Sequence, residues 1–293
     1  MFKTDQNENQ TFVLPTNIGG LEPQPDIFNR LSKRFGEGFL RERLLSQISH
    51  ADKVFSRGAR LMHIENSEWI MIMLYYGLKM MGVYKWGHRN FLDIQTVKNE
   101  VVIDRLPVGL DGYRILQLTD LHLDIESKLT PIIGELVQSI DYDLLVITGD
   151  YRASTSGSYL YALAETVRLM AYVDTPVYAI LGNHDFIEFL PILEDQGGMT
   201  FLVNESLELA HNGETFYLIG IDDPHMYQTD NFSKAYADVP EEGFKILMSH
   251  SPETFKKAEA YKTHFLMAGH THGGQICLPG GIPLIAHRGE ATK

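Results

Sequence analysis

From Tyr113 onward the chain alternates short apolar runs with longer amphipathic ones. Tyr113–Leu118, Leu144–Ile147, Val177–Leu181, Phe216–Ile221, Lys245–Met248 and Phe265–Met267 have the length and the aliphatic or aromatic make-up of strands. Between them, Thr130–Ile140, Ser158–Ala171 and Glu253–Tyr261 place apolar residues at helical spacing. Strand-like and helix-like runs in turn predict a layered α/β domain whose ligands sit at the strand ends. That domain is expected over residues 98–293.

The N-terminal third has a different texture. Residues 1–28 are polar and carry Pro15, Gly19, Gly20, Pro23 and Pro25, the make-up of a weakly ordered leader. Over 29–97 a helical extension is expected, because Leu31, Phe35, Phe39, Leu44, Leu45, Ile48, Val54 and Phe55 recur at roughly helical intervals among Arg and Lys. Within it, Trp69–Tyr84 is apolar apart from Lys79 but runs for only 16 residues. A spanning helix needs about 18 or more, so this stretch is expected to lie on a surface or pack against one.

Charge separates the extension from the rest. The whole chain holds 25 Lys and Arg against 38 Asp and Glu, whereas residues 30–89 hold 11 against 5. An apolar stretch beside a basic one suits a helix lying in an anionic lipid surface. A Met and aromatic stripe at helical spacing is also the ordinary signature of a core or oligomer helix, so both readings stand. The overall net charge of −13 argues against a nucleic-acid partner and for a phosphorylated small molecule or a bound cation. Cys277 is the only cysteine, which excludes an intrachain disulfide and fits a reducing compartment. The opening Met1-Phe2-Lys3-Thr4-Asp5 lacks the apolar core of a secretory signal. A cytoplasmic protein is expected, peripheral on the inner face of the membrane if the extension anchors it.

Polar blocks fall where the apolar runs stop: Asp120-Leu121-His122, Gly149-Asp150, Gly182-Asn183-His184-Asp185, Ser249-His250-Ser251 and Gly269-His270-Thr271-His272. Alternate positions of an extended chain end would put Asp120 and His122 on one side. Gly149 lets the backbone bend beside Asp150, a carboxylate able to bridge two ions. Asn183, His184 and Asp185 offer an amide ligand, an imidazole and a carboxylate to orient that imidazole. His250, His270 and His272 are loop histidines suited to borderline metals. A lone histidine or Gly-Asp pair here is usually structural, but five blocks in this order point to a two-metal phosphoester-cleaving site.

The pattern resembles the calcineurin-like metallophosphoesterase superfamily over roughly residues 98–287. Arg114–Leu123 and Gly269–Pro283 resemble its bacterial branch of phosphodiesterases and UDP-2,3-diacylglucosamine pyrophosphatases, one of them membrane-associated. The resemblance implies a four-layer α/β/β/α sandwich. It also implies that Asp120, His122, Asp150 and His272 bind one metal and that Asp150, Asn183, His250 and His270 bind the other, with Asp150 as the bridge. His184 would then contact the phosphoryl group and assist the leaving group, with Asp185 holding its ring. The nucleophile would be a hydroxide bridging cations about 3.5 to 4 Å apart. Two divalent ions are expected, manganese first by resemblance, with Fe, Zn or Mg also compatible with oxygen and nitrogen ligands.

Two departures qualify the resemblance. Branches with a tyrosine-ligated ferric ion place Tyr three residues after the bridging Asp, where this chain has Ala153. Relatives also run on into further strands past the last histidine motif, whereas 21 residues follow His272, so the domain is expected to be shortened at its C-terminus. Substrate contacts are weaker readings. Arg152 could meet a phosphate oxygen or be solvated or salt-bridged. His225, after Asp222-Asp223-Pro224, could touch substrate, though a surface loop histidine is the commoner case.

The expected activity is hydrolysis of a phosphodiester or pyrophosphate, with a lipid-linked substrate suggested by the basic apolar extension. Two rivals remain: a soluble phosphodiesterase or phosphomonoesterase whose extension only packs, and a non-catalytic protein-binding scaffold on the same fold. The scaffold reading predicts gaps in the ligand set, and every position is filled.

Overall fold

The computed structural model describes residues 26–55, 68–155, 157–272 and the short strands at 277–278 and 282–283. The leader expected over 1–28 lies, up to residue 25, outside these residues, as does the end of the chain on which the expected shortening turns.

Four parallel strands form the first sheet in sequence order: β1 (Ile115–Leu118), β2 (Leu144–Ile147), β3 (Val177–Ala179) and β4 (Met199–Phe201). The second sheet runs β5 (Glu205–His211), β6 (Glu214–Gly220), β7 (Phe244–Met248) and β8 (Phe265–Met267). There β5 pairs antiparallel with β6, and the other two pairs are parallel. A further antiparallel pair joins β9 (Cys277–Leu278) to β10 (Ile282–Pro283).

Strand alternation explains the layering. Leu145, Ile147 and Ala179 face one core with the helices α5 (Leu129–Ser139), α6 (Leu160–Met170) and α7 (Phe189–Gly197). Leu144, Val146 and Ile180 face the other way, against Phe216, Leu218, Phe244, Ile246 and Met248 of the second sheet. The outer face of that sheet, with Ile219 and Leu247, is covered by α8 (Phe232–Ala235) and α9 (Phe255–Ala260). The result is the expected α/β/β/α sandwich, in which period-2 side-chain alternation lets each strand serve two cores.

The extension holds α1 (Ile27–Phe35), α2 (Glu37–Phe55), α3 (Glu68–Met80) and α4 (Tyr84–Leu92). Gly36, at φ 84°, separates α1 from α2. Ile27, Leu31, Phe35 and Leu40 belong to the first core, so α1 and the start of α2 are built into the sandwich. Their basic side chains serve the same contact. Arg30 pairs with Asp195 at 2.9 Å, and Arg34 pairs with Glu194 at 2.6 Å and Glu205 at 2.7 Å. Of the two readings of the extension, this packing supports the core one for α1 and the start of α2, whose basic side chains meet Glu194 and Asp195 of α7 and Glu205 of β5.

The helices α3 and α4 differ. Ile72, Met73, Tyr76, Met80, Met81 and Trp86 are all exposed, Met80 to 90%. Lys79 lies over the Tyr75 ring at 4.3 Å. Among the described residues no helix is long and apolar enough to cross a membrane.

Candidate metal centre and active site

The sequence blocks converge at the ends of β1, β2, β3, β7 and β8, and unusual backbone makes them do so. Asp120, His122, Asp150, His270 and His272 all have positive φ, between 43° and 69°. A non-glycine residue in this region costs roughly 1–2 kcal/mol, and such strain gathers at functional sites. It also corrects the picture of Asp120 and His122 on an extended chain end. Each has left-handed backbone, and both side chains reach His272.

Glycine permits the closest approach. At Gly149 (φ 96°) a Cβ would lie 2.5 Å from the main-chain nitrogen of Gly182, and at Gly182 a Cβ would lie 2.5 Å from that of Asp150. The loops after β2 and β3 therefore touch backbone to backbone, which sets Asp150 beside Asn183 and His184.

The candidate ligand atoms form one continuous set. His272 Nε2 is 3.3 Å from Asp120 Oδ1 and 3.5 Å from His122 Nε2. Asn183 Oδ1 lies 2.9 Å from His250 Nε2 and 2.8 Å from His270 Nδ1. Asp150 stands between the two groups, its Oδ2 being 3.2 Å from His250 Nε2 and 3.8 Å from His184 Nε2. Three overlapping sets, Asp120 with His122 and His272, His122 with Asp150 and His184, and Asp120 with Asp150 and His250, each bring their donor atoms within 4.8 Å of one another.

These residues fit divalent cations on three counts. The buried Asp150 Oδ2 accepts no hydrogen bond. The Nδ1 atoms of His122, His184 and His250 face the carbonyls of Arg152, Ala153 and Thr148 at 2.7, 2.6 and 2.8 Å, which directs each Nε2 lone pair into the site. Charge completes the argument. Burial pulls the His250 ring down, but the Asp150 carboxylate and then Asp120 outweigh it and push it up to about 10. Burial also opposes the charge on Asp150, yet His250 and His184 hold it below the usual carboxylate range. The carboxylates thus call for positive charge where the ligands converge.

Asp185 does not hold the His184 ring, whose Nδ1 is engaged by Ala153 O. Fully buried, it accepts main-chain N–H groups instead: Asp150 and Gly182 at Oδ2 and Tyr151 at Oδ1. Its carboxyl is pushed up to about 6 by burial and by the neighbouring Asp150. Arg152 also departs from the expected substrate contact. Its side chain is buried, donates from Nε to His184 O at 2.8 Å, and stacks on Phe186 at 4.1 Å. Tyr151 points away, its hydroxyl donating to Ile180 O. His225 does stand at the site: its ring is 4.6 Å from that of His270, and its Nδ1 is 3.2 Å from Glu253 Oε2. Asp120, His122, Asp150, Asn183, His184, His225, His270 and His272 line a cleft of about 2150 Å³, whose walls also include Ile125, Leu129 and Ile133.

Motif reading missed the buried Arg43 and Gln47 of α2 and the carboxylate of Asp223, which organise these loops from behind. The available signal was Arg43 and Gln47 falling on the buried stripe begun by Leu31, Phe35 and Leu40.

Comparison with known sequences accounts for this arrangement, since the profile of the calcineurin-like phosphoesterase family matches residues 113–274, more than half of the chain. The chain belongs to that family. It is therefore a metallophosphoesterase, a hydrolase of phosphoric ester bonds in a family that uses divalent metals. It is 29% identical over 215 residues to the uncharacterized metallophosphoesterase YkuE of Bacillus subtilis, covering 68% of this chain and 73% of that one. It is 25% identical over 254 residues to the UDP-2,3-diacylglucosamine pyrophosphatase LpxG of Chlamydia muridarum, covering 67% and 75%. It is 25% identical over 195 residues to the phosphodiesterase YaeI of Escherichia coli, covering 61% and 69%.

Proposed function

We propose that this metallophosphoesterase cleaves a phosphodiester or pyrophosphate bond at a two-cation centre, and that its substrate is lipid-linked. The observation that carries the two-cation reading is the position of Asp150, between Asp120, His122 and His272 on one side and Asn183, His250 and His270 on the other. Two cations held there would lower the pKa of a shared water and absorb charge developing on phosphoryl oxygens. Carboxylate, imidazole and amide donors suit manganese, iron, zinc or magnesium, and manganese is our choice. His184 keeps Nδ1 on Ala153 O and turns Nε2 toward the site, where it can meet the phosphoryl group and the departing oxygen.

The lipid-linked substrate is supported by two apolar features. One is the Ile125, Leu129 and Ile133 wall of the cleft. The other is the exposed face of α3 and α4, tied to the loop after His122 by a 3.1 Å contact between His88 Nε2 and Glu126 Oε2. With Lys79, Lys85 and Arg89 also on these two helices, that face suits an anionic membrane surface.

Hydrolysis of bis(p-nitrophenyl) phosphate and of a UDP-linked diacyl lipid by wild type and Asp150→Ala, with metal content measured in both, tests the chemistry. Equal rates in the two proteins would sink the site assignment. Flotation with anionic vesicles, comparing wild type with Met80→Glu/Met81→Glu/Trp86→Glu, tests the surface. A wild type that stays with the soluble fraction removes the membrane reading and leaves a soluble phosphodiesterase.

A further inference from the structure

A single buried cation from the N-terminal extension holds two loops of the site. Arg43, fully buried, donates from Nε to Asp222 Oδ2 at 2.8 Å, from Nη1 to Gln47 Oε1 at 2.8 Å and from Nη2 to the carbonyl of Asp185 at 3.1 Å. Its guanidinium lies 3.5 Å from the centroid of the Tyr227 ring. We propose that Arg43 is a positioning residue for phosphoester hydrolysis, fixing the His184 loop and the His225 loop relative to one another, so that α2 belongs to the working site.

The argument begins with the loop that follows β3. Its polar main-chain atoms are taken up from two directions. His184 N–H donates to Asp150 Oδ1 at 2.9 Å, and His184 O accepts from Arg152, both on the side of the bridging carboxylate. Asp185 O accepts from Arg43, and Ile187 N–H donates to Gln47 Oε1 at 2.9 Å, both on the side of α2. Gln47 Nε2 also donates to Glu188 Oε2 at 3.1 Å. The segment bearing Asn183 and His184 is thus pinned between Asp150 and α2.

The second loop follows β6. Asp222 Oδ2 accepts from Arg43 and from Thr229 Oγ1 at 2.7 Å, which closes the 222–229 segment into a turn. Tyr227, inside that turn, receives the guanidinium on its ring and the Ser46 hydroxyl on its carbonyl at 3.1 Å. Both loops therefore share one guanidinium, and His184 and His225 sit one on each. Burying a cation is unfavourable until its partners offset the lost hydration. A planar fork that meets three acceptors and an aromatic face does something an ammonium cannot reproduce.

A misplacement of about 1 Å at a reacting group can cost on the order of 100-fold in rate, and this sets the expected effect. The test uses the metal-loaded full chain with Arg43→Lys, Arg43→Met and Asp222→Asn. Arg30→Gln, an exposed ion pair of α1, serves as control. With bis(p-nitrophenyl) phosphate, Arg43→Lys is expected to lower kcat by about 10- to 100-fold and to change KM by less than about threefold, with metal content unchanged. Amides of 183–188 and 222–229 are expected to exchange faster in that variant and to match wild type in Arg30→Gln. If Arg43→Met does not fold, Arg43→Lys and Asp222→Asn carry the measurement. The proposal is overturned if Arg43→Lys stays within about twofold of the control, or if its activity falls only in step with its metal content or folded fraction. The inference rests on the hydrolase reading, but exchange needs no substrate. Should wild type hydrolyse nothing, that reading fails by itself, and unchanged exchange at both loops would still overturn the latch.

Discussion

Asp185 Oδ2 takes the main-chain N–H of Asp150 at 2.7 Å, so the buried carboxylate of one loop fixes the backbone from which the proposed bridging ligand projects. The same oxygen takes Gly182 N–H, and Oδ1 takes Tyr151 N–H. Asp185→Asn would turn an amide NH2 toward donors and leave at least one of them unpaired. Such a group costs about 1–3 kcal/mol. The variant should lose about that much stability in urea unfolding and lose bound metal with it. If stability and metal content match wild type while only the pH profile of kcat moves, Asp185 acts on the His184 ring after all.

Gly182→Ala tests the contact between the loops. The added Cβ would lie 2.5 Å from the Asp150 main-chain nitrogen and collide with its carboxylate. Overpacking of this kind costs about 1–3 kcal/mol, and here the group displaced is the carboxylate proposed to bridge the cations. Metal content measured after dialysis should drop well below wild type, with hydrolysis following it. Full metal occupancy in this variant would mean that the loops separate easily and that their close approach is not what sets Asp150.

The strands that carry the site could be read from the sequence because each ends in a polar block after a largely apolar run, as Leu144–Ile147 does before Asp150. β5 and α7 were not readable in this way. β5 (Glu205–His211) is an edge strand of mixed polarity, with Glu205, Ser206 and Glu208 among its residues, and α7 begins immediately after the Asp185 loop with no capping side chain. The candidate ligands could be picked out from the motifs, but the support beneath them could not. The roles of Asp185, Arg152 and Arg43 depend on which main-chain atoms the tertiary fold brings near, and no short spacing encodes that. The left-handed backbone at Asp120, His122, Asp150, His270 and His272 was likewise hidden, since non-glycine residues adopt it only when the surrounding fold enforces it.

Asp223 gives the stability a pH dependence of defined sign. Its buried carboxylate accepts the N–H groups of His225, Met226 and Tyr227. Burial, the largest influence, raises its pKa above the ordinary value in spite of those donors and of His250 and Arg43. A carboxyl raised in the folded state contributes stability below its unfolded pKa of about 3.9, and that contribution is lost as pH climbs through the folded value. Asp223→Asn keeps the shape and cannot ionise. The stability of wild type relative to Asp223→Asn should therefore be higher at about pH 4 than at about pH 7.5, measured as urea midpoints at matched metal content. A difference that grows toward neutral pH would show that the main-chain donors outweigh burial.

His225 is open to solvent and still touches the candidate ligand set, with 39% of its side chain exposed and its ring 4.6 Å from His270. It lies at the rim, where a group can meet substrate without holding metal. His225→Ala should keep its metal and lower kcat/KM for an aryl phosphodiester by about tenfold, equivalent to about 1.4 kcal/mol. Glu253, 3.2 Å from its Nδ1, keeps the ring in place. Glu253→Gln should therefore shift kcat/KM in the same direction by a smaller factor, and the double variant should fall short of the product of the two effects, because the residues act as a pair. Wild-type kcat/KM in His225→Ala would return this histidine to an ordinary place in a surface loop. Independent, multiplying effects would separate Glu253 from it.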